Sequence, residues 1–355
     1  MRWSLSSMLS KPGTWLLHIA LTIILVGACV THFCGEQGEI HLRADQAETL
    51  NYQSPITHHQ SKITLFLWDF QVVNDADNNP VDFISELRLL DRSKQPLVVE
   101  EGTIRMNNPL KYHNWRFCQS DYDSDQQGVV LSYNYDPWGI GITYTGYALL
   151  LLAMIAFFFQ KRTYFRTMLK SVTPNSLLLG RAGVGLFVVL VIALAIIMTK
   201  VVTPKPPLQP VLQTPLLGIH VSVIMLAYTL FAIIAINGII GLCSKRLSTF
   251  NYQLSTILLY PAEFCLMAGI FIGAVWANMS WGRYWGWDPK ETWALITMLV
   301  YALLLHFPWL KSKLPMTNNK LQICYHVFSV IAFLFVLFTY FGVKYLLGGL
   351  HSYAN

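Results

Sequence analysis

Long apolar runs separated by short polar segments dominate the pattern of this 355-residue chain. Six runs are long enough to cross a membrane as helices, which takes about 20 apolar residues. A seventh run contains one acidic residue, Glu263, in its first half, where we expect the carboxylate to reach the interface. The seven predicted spans are residues 15–33, 138–160, 182–199, 215–242, 254–277, 292–310 and 321–343.

The segment between the first two spans, residues 34–138, has a different pattern. Four of its stretches are rich in β-branched and aromatic residues that partly alternate with polar ones, which is typical of strands. Asn-Asn-Pro at 78–80 and a polar group at 91–94 are typical of turns. We therefore expect a small β-rich domain, with strands at residues 62–74, 81–90, 96–106 and 128–136.

The composition supports this division of the chain. Hydrophobic residues make up 54% of the sequence and charged residues 12%, whereas an ordinary soluble domain has about 25% charged residues. The net charge of +6 is unevenly distributed, because segment 34–138 holds 16 of the 19 acidic residues and 8 of the 25 basic ones. That segment sums to −8 and the rest of the chain to +14. The sequence predicts a polytopic α-helical membrane protein of seven transmembrane helices with a small β-rich extracytoplasmic domain.

Lysine and arginine residues in the short loops predict the orientation, because they concentrate on the cytoplasmic side. With the N-terminus inside, the inner segments hold twelve of these residues and the outer segments five. We therefore expect segment 34–138 and the C-terminus on the outer side. The first apolar run is long for a signal peptide and contains His18, so we interpret it as a retained anchor.

The six cysteines form neither C-x-x-C nor C-x-x-C-H, so the chain has no thioredoxin-like motif and attaches no haem to itself. Cys34 and Cys118 both lie on the predicted outer side, where disulfides form. Their spacing leaves open whether they pair. No part of the sequence resembles a nucleic-acid site.

The densest group of candidate functional residues lies just outside the fifth predicted span. An interfacial aromatic belt explains one or two tryptophans at a bilayer edge, but not four aromatic residues interleaved with glycines and charges. Flat aromatic faces suit stacking on a flat, apolar ligand, so we favour a ligand-binding loop. Its residues are Trp281, Gly282, Arg283, Tyr284, Trp285, Gly286, Trp287, Asp288, Lys290 and Glu291.

Several histidines lie near the ends of predicted spans. His220 and His351 approach the face that carries the aromatic loop, and two imidazoles beside a stacking surface suit axial ligation of haem iron. His18 and His306 lie at matching depth near the opposite face, which allows a second bis-histidine site. His326 lies at a similar depth and stays an alternative there. Each histidine also has a plainer interpretation, a neutral ring that packs or bonds to a helix carbonyl.

These motifs resemble the cytochrome c synthases of the system II type, in which a ResB-like part and a CcsA-like part work together. Segment 276–296 resembles their tryptophan-rich haem-binding signature, W-G-x-x-W-x-W-D-x-x-E. Segment 338–353 resembles their C-terminal end, and segment 106–123 resembles the ResB-like outer domain. The chain departs from the family in having a smaller outer domain and fewer spans before the first ligand histidine. This leaves open whether it requires a partner.

The resemblance implies roles for individual residues. His220 and His351 match the outward-facing haem ligands, and His18 and His306 match the transmembrane histidines of the two parts, whereas His326 matches no motif position. Arg283 and Lys290 are candidate partners of the haem propionates, since Arg matches carboxylate geometry, or else solvated loop charges, and Asp288 and Glu291 are expected to orient the loop. The implied catalytic residues are His220, His351, Trp281, Trp285, Trp287 and Asp288. The implied haem contacts are His18, His306, His220, His351, Trp281, Arg283, Trp285 and Trp287.

The resemblance also divides the chain. Its parts are an N-terminal anchor at 1–33, an outer ResB-like domain at 34–138, a transmembrane helix at 139–160, a cytoplasmic loop at 161–177 and a CcsA-like haem-handling domain at 178–355.

The implied function is translocation of haem b across the bacterial cytoplasmic membrane and its attachment by thioether bonds to the C-x-x-C-H motif of apocytochrome c. The expected partners are apocytochrome c, a thioredoxin-like thiol reductant, the lipid bilayer and further biogenesis subunits, and no nucleic acid. Two alternatives stay open. One is a haem exporter that forms no thioether bonds, and the other is a non-catalytic assembly factor whose aromatic loop is only interfacial.

Overall fold

A computed structural model describes residues 12–44, 46–53, 60–94, 97–160, 163–172, 210–244, 248–308 and 317–347 of the chain. Its helices are α1 (Pro12–Cys34), α2 (Gly139–Phe159), α3 (Tyr164–Val172), α4 (Pro215–Cys243), α5 (Ser248–Trp281), α6 (Pro289–Leu305), α7 (Asn318–Leu337) and α8 (Val343–Leu346). Its strands are β1 (Glu36–Arg43), β2 (Ala47–Gln53), β3 (Gln60–Asn74), β4 (Pro80–Asp91), β5 (Val98–Arg105), β6 (Leu110–Tyr112), β7 (Trp115–Tyr122) and β8 (Gly128–Tyr135). A 3-10 turn, Pro210–Leu212, precedes α4, and a π-helical turn, Phe338–Gly342, joins α7 to α8.

Among the described helices, α1, α2, α4, α5 and α7 are long and apolar enough to cross a membrane. The span predicted at 292–310 begins as α6, a helix of 17 residues. The span predicted at 182–199 lies outside the described residues. The observed elements confirm the predicted class, a multi-pass α-helical membrane protein with a small β-rich domain.

Helices α1 and α2 form a close antiparallel pair. A Cβ atom on Gly13 would lie 2.8 Å from the backbone nitrogen of Phe157, and one on Gly27 equally close to that of Thr143. Small residues at such crossings let membrane helices approach closely. Beyond the end of α2, the Gln160 side chain accepts a hydrogen bond of 2.8 Å from the Gly13 amide. These contacts hold α1 at a defined height against α2.

The α1–α2 pair packs against a bundle built from α4, α5, α6 and α7. Phe157 of α2 stacks on Tyr260 of α5 with ring centroids 5.3 Å apart, and it also meets the edge of Phe264. Further along the same helices, the rings of Tyr147 and Phe271 lie 4.9 Å apart. One hydrophobic core therefore joins the first membrane helices to the later ones.

The outer domain consists of two four-stranded antiparallel sheets with the strand orders β1-β8-β7-β6 and β2-β3-β4-β5. Their inward side chains, such as Leu42, Leu65, Phe117 and Leu131, are fully buried in one shared core. The four strands predicted from alternation correspond to β3, β4, β5 and β8. The other four strands were not predicted, because short runs of polar residues interrupt the alternation of apolar and polar positions in them.

Two details differ from the sequence-based picture. Glu263 is 1% exposed near the middle of α5, so its carboxylate is buried within the helix bundle and does not reach the surface of the protein as expected. The segment at 161–177 contains the amphipathic helix α3. Phe165 of that helix is buried, and Arg166 donates a hydrogen bond of 2.9 Å to the Phe158 carbonyl.

Candidate functional site

His18 and His306 come from distant parts of the chain and lie side by side. Their ring centroids are 6.4 Å apart and their planes are nearly perpendicular, at 85°. His18 lies on α1, and His306 is the C-cap residue that follows α6. Both side chains are exposed, so a ligand can reach them. Two imidazoles that bind one metal from opposite sides, through bonds of about 2 Å, have ring centroids about 6 Å apart. The observed separation therefore suits two ligands of one metal.

Hydrogen bonds prepare both rings in the same way. His18 Nδ1 lies 2.7 Å from the Thr14 carbonyl oxygen, and His306 Nδ1 lies 2.7 Å from the Ala302 carbonyl oxygen. A carbonyl only accepts, so each Nδ1 carries a hydrogen, and in the neutral form of the ring each Nε2 keeps its lone pair. Metal-bound histidines have this arrangement, in which the second nitrogen donates to a fixed acceptor. The plainer interpretation was a ring bonded to a helix carbonyl. Such a ring is also able to bind a metal through its other nitrogen.

His220 lies in the second turn of α4 and is oriented by α5. Its Nδ1 is 2.7 Å from the Gly269 carbonyl oxygen, so this histidine too donates from Nδ1. Gly273 makes room for the ring, because a Cβ atom at that position would lie 2.6 Å from His220 Cε1. His351, the predicted second ligand of this outer site, lies outside the described residues. The outer pair stays a prediction, and the structure shows one oriented member of it.

The loop that joins α5 to α6, residues 281–288, is called here the tryptophan loop. Its first residue, Trp281, contacts the buried Trp276 with ring centroids 4.8 Å apart. Trp285 packs against the core of the bundle. The ring plane of Trp287 is perpendicular to that of Trp285, with an interplanar angle of 90°. Trp287 is 72% exposed at a positive φ of 54°. The loop therefore has anchored aromatic rings and one ring that it presents outward.

Acidic residues hold the second half of the tryptophan loop. Asp288 caps α6 by accepting a hydrogen bond of 2.9 Å from the Lys290 amide. Glu291 completes the capping box and also accepts one of 2.8 Å from the Gly286 amide. Both carboxylates therefore hold backbone amides where the loop joins α6. A catalytic role for Asp288, which is 5% exposed, stays a prediction.

Positive charges lie beside the tryptophan loop. Burial lowers the pKa of Lys290, and the nearby charge of Lys344 acts in the same direction, against the opposing effect of Asp288. Arg283 folds back over Gly286 within the loop. Two ammonium groups that repel each other favour an anion beside them. Sequence reasoning missed Lys344, because only the packing of α8 against α6 brings it to this place.

The outer domain also contacts the tryptophan loop. Asn134 of β8 donates a hydrogen bond of 2.6 Å to the Gly282 carbonyl, and Asn107 accepts one of 2.5 Å from the Ser280 hydroxyl. Sequence reasoning did not identify these asparagines as site residues. The available signal was that Asn107 lies within the ResB-like segment 106–123.

Other candidates from the sequence have different surroundings. His326 is fully buried against α4, where a Cβ atom on Gly241 would lie 2.6 Å from its Nε2. Cys34 and Cys118 are both buried and form no disulfide. Burial raises the pKa of Cys118 to about 12, so this thiol stays protonated and unreactive at neutral pH. Within the described part of the chain, no group of three or more histidine, cysteine or acidic residues is placed to hold a metal ion.

Comparison with known families decides the assignment. Residues 142–351, more than half of the chain, match the family model described as Cytochrome C assembly protein. The chain belongs to the cytochrome c assembly protein family. Residues 7–136 match the ResB-like family, so one chain carries both parts. These matches confirm the resemblance to system II cytochrome c biogenesis proteins in which ResB-like and CcsA-like parts are fused.

Individual relatives agree with the family match. Protein NrfI of Wolinella succinogenes is 39% identical over 160 residues, which cover 42% of this chain and 17% of that protein. The cytochrome c biogenesis protein CcsA of Chlamydomonas reinhardtii is 38% identical over 161 residues, covering 41% and 43%. CcsA of Guillardia theta is 34% identical over 177 residues, covering 41% and 56%. The chain thus spans less than two thirds of the length of these relatives.

Proposed function

We propose that this member of the cytochrome c assembly protein family carries haem b across the bacterial cytoplasmic membrane and attaches it to apocytochrome c. The observation that carries the proposal is the pairing of His18 with His306, at 6.4 Å between ring centroids. His18 lies in the ResB-like part and His306 in the cytochrome c assembly part, so the site requires both. Their common Nδ1 hydrogen bonding leaves two Nε2 lone pairs for the axial positions of haem iron.

The inner site receives haem from the cytoplasmic side. Both histidines lie at the ends of their helices that the basic loops assign to that side. Because the two rings are exposed, haem reaches them without displacing the packed core of the bundle. Ligation by two neutral imidazoles holds the iron without adding a buried charge at this depth.

The outer site holds haem for the reaction. His220 and His351 occupy the two axial positions, which excludes oxygen from the iron until the haem is used. Trp281, Trp285 and Trp287 supply flat faces for the porphyrin. The cations beside the loop, Lys290, Lys344 and Arg283, pair with the propionates, since carboxylates favour positive partners.

Attachment is an addition reaction that the site accelerates by positioning. The histidine of the C-x-x-C-H motif replaces one axial ligand, which brings both cysteine thiols beside the haem vinyl groups. Each sulfur forms a bond to one vinyl carbon and the thiol hydrogen goes to the other carbon, so the addition needs no oxidant. The cysteines must arrive reduced, which is the task of the thioredoxin-like partner. Holding the groups together converts a slow bimolecular step into an intramolecular one.

The decisive test uses the purified full chain and a reporter cytochrome c. We expect the purified protein to show the absorption spectrum of bis-histidine haem, and co-expression to give covalent haem on a reporter that carries C-x-x-C-H. Free haem on the outer side without covalent attachment would instead support an exporter. A protein purified without any haem band under haem-sufficient growth would contradict both.

The Lys290→Gln variant is expected to lose haem about threefold to tenfold more readily at neutral pH, because one charged partner of a propionate is removed. The same residue predicts a pH dependence. A lowered pKa means that Lys290 loses its charge at a lower pH than an ordinary lysine. Its attraction for propionates is therefore complete below that pKa and is lost as the pH rises through it.

Haem content, measured from the Soret band after washing between neutral pH and about pH 10, reports this dependence. We expect wild-type protein to release haem across that range and Lys290→Gln to show a flatter profile. Lys320→Gln, an exposed change at the start of α7, is the matched control. Identical profiles for wild type and Lys290→Gln would count against a propionate partner at this position.

A further inference from the structure

The outer domain contacts the first half of the tryptophan loop through two asparagines. Asn134 Nδ2 donates to the Gly282 carbonyl oxygen at 2.6 Å, in a buried position. The Ser280 hydroxyl donates to Asn107 Oδ1 at 2.5 Å. Both bonds join residues that are about 150 or more positions apart in the sequence. The loop is therefore held from outside the membrane bundle.

Asn107 also reaches the start of the helix that carries His220. Its Nδ2 donates to the Val211 carbonyl oxygen at 3.2 Å, in the 3-10 turn that precedes α4. One side chain thus connects the end of α5 to the entry of α4. Asn107 has a φ of +61° in the turn after β5, a conformation that asparagine tolerates better than most residues. Its amide is therefore presented by a tight turn and has little freedom to move.

Asn134 is equally constrained. It lies on β8 between β1 and β7, where its neighbours across the sheet are Gln37 and Arg116, and it is 6% exposed. The loop residue that it contacts, Gly282, has a φ of +73°. A Cβ atom on Gly282 would lie 3.1 Å from Cys118 Sγ of β7, so the loop backbone rests directly on the sheet.

The two halves of the tryptophan loop therefore have different supports. The second half depends on the Asp288–Glu291 capping box within its own part of the chain. The first half, next to Trp281, depends on the sheet of the ResB-like part. Because Asn107 bonds both the turn before α4 and the end of α5, the outer domain adds a second link between the helices that carry His220 and Trp281, beside the bond of His220 to Gly269.

We propose that Asn107 and Asn134 are positioning residues, through which the outer domain holds the tryptophan loop in register with His220. This inference rests on the proposed function, because it assigns the two contacts to the outer haem site. Segment 106–123 thereby has a structural role, whereas its resemblance to the ResB-like family implies no particular activity. The outer site is accordingly complete only when the ResB-like domain is docked on the membrane part.

Hydrogen–deuterium exchange on the purified, haem-free full chain tests the contact itself. Asn134→Asp keeps the side-chain shape but replaces the N–H donor with an oxygen, so the buried Gly282 carbonyl loses its partner. We expect the amides of residues 281–286 to exchange about tenfold faster than in wild type. Asn51→Asp, the same substitution at an exposed position on β2, should leave them unchanged. Wild-type exchange in Asn134→Asp would overturn the proposal.

Haem binding tests the positioning role. At equal protein amount and melting temperature, we expect Asn134→Asp and Asn107→Ala to shift the reduction potential of the bound haem and to speed carbon monoxide binding several-fold. The Asn107→Ala/Ser280→Ala double variant should be no worse than Asn107→Ala alone, since Asn107→Ala already removes the bond to Ser280 together with the bond to Val211. Faster loop exchange with unchanged potential and carbon monoxide binding would overturn the positioning role.

Two further outcomes are separable. If wild-type protein binds no haem, the proposed function fails, whereas the exchange experiment still decides whether the asparagines hold the loop. If an asparagine variant does not accumulate, Ser280→Ala carries the same test from the loop side without altering the outer domain. Unchanged exchange and carbon monoxide binding in that variant would overturn the role of the bond between Asn107 and Ser280.

Discussion

His18→Gly and His306→Gly variants of the full chain are expected to retain at least about tenfold less haem than wild type, and to mature correspondingly less cytochrome c. Loss of a partner that only orients a metal ligand already costs about 10–100-fold in metal affinity, and here the ligand itself is removed. The measurement is the haem content per mole of purified chain, together with the yield of covalent haem on a co-expressed reporter. Added imidazole should restore part of both, because glycine leaves the space of the lost ring.

The shared ligation makes a second, sharper prediction. If His18 and His306 bind the same iron, the double variant should lose no more haem than either single variant, because each change removes the same bis-histidine site. Additive losses would show that the rings serve separate sites and would contradict the proposal. His32→Gly is the matched control, since His32 is an exposed histidine on the same helix. It should keep wild-type haem content.

His220→Gly and His351→Gly are expected to reduce covalent attachment by at least about tenfold, with a smaller loss of total haem. The reason is that the inner pair still binds haem when the outer site lacks a ligand. External imidazole should partly restore attachment. The measurement is the ratio of covalent reporter haem to haem bound by the purified chain.

Full maturation activity in the His220→Gly/His351→Gly double variant would contradict the proposed outer site. His113→Gly is the control on the outer domain, because His113 is exposed and has a φ of +50°, which glycine adopts without strain. A loss of attachment in His113→Gly equal to that of the ligand variants would show that the effect is not specific to the site.

The sequence predicted only part of the candidate site. The height of His18 and His306 follows from their positions in apolar runs, since a helix rises about 1.5 Å per residue. Depth alone also admitted His326, and the choice between them depends on rotation about the helix axis. In the structure, His326 faces inward against Gly241, whereas His306 faces His18. That rotation is set by packing with neighbouring helices.

The missed residues share a physical reason. Asn107, Asn134 and Lys344 have no unusual local pattern, and each becomes part of the site through a contact with a distant segment. The strands β1, β2, β6 and β7 escaped prediction in a similar way, since their polar residues mask the alternation. Pairing with neighbouring strands, and not local propensity, stabilises them.

By itself, the sequence determined that this protein crosses a membrane several times and that it has an acidic β-rich domain, and it predicted that its tryptophans and histidines bind haem. These properties depend on the length of apolar runs, on charge and on residue types, which need no knowledge of neighbours. Only the tertiary structure decided that His18 meets His306 and that the outer domain holds the tryptophan loop. Both depend on how helices rotate and dock, and that is a property of the whole packed chain.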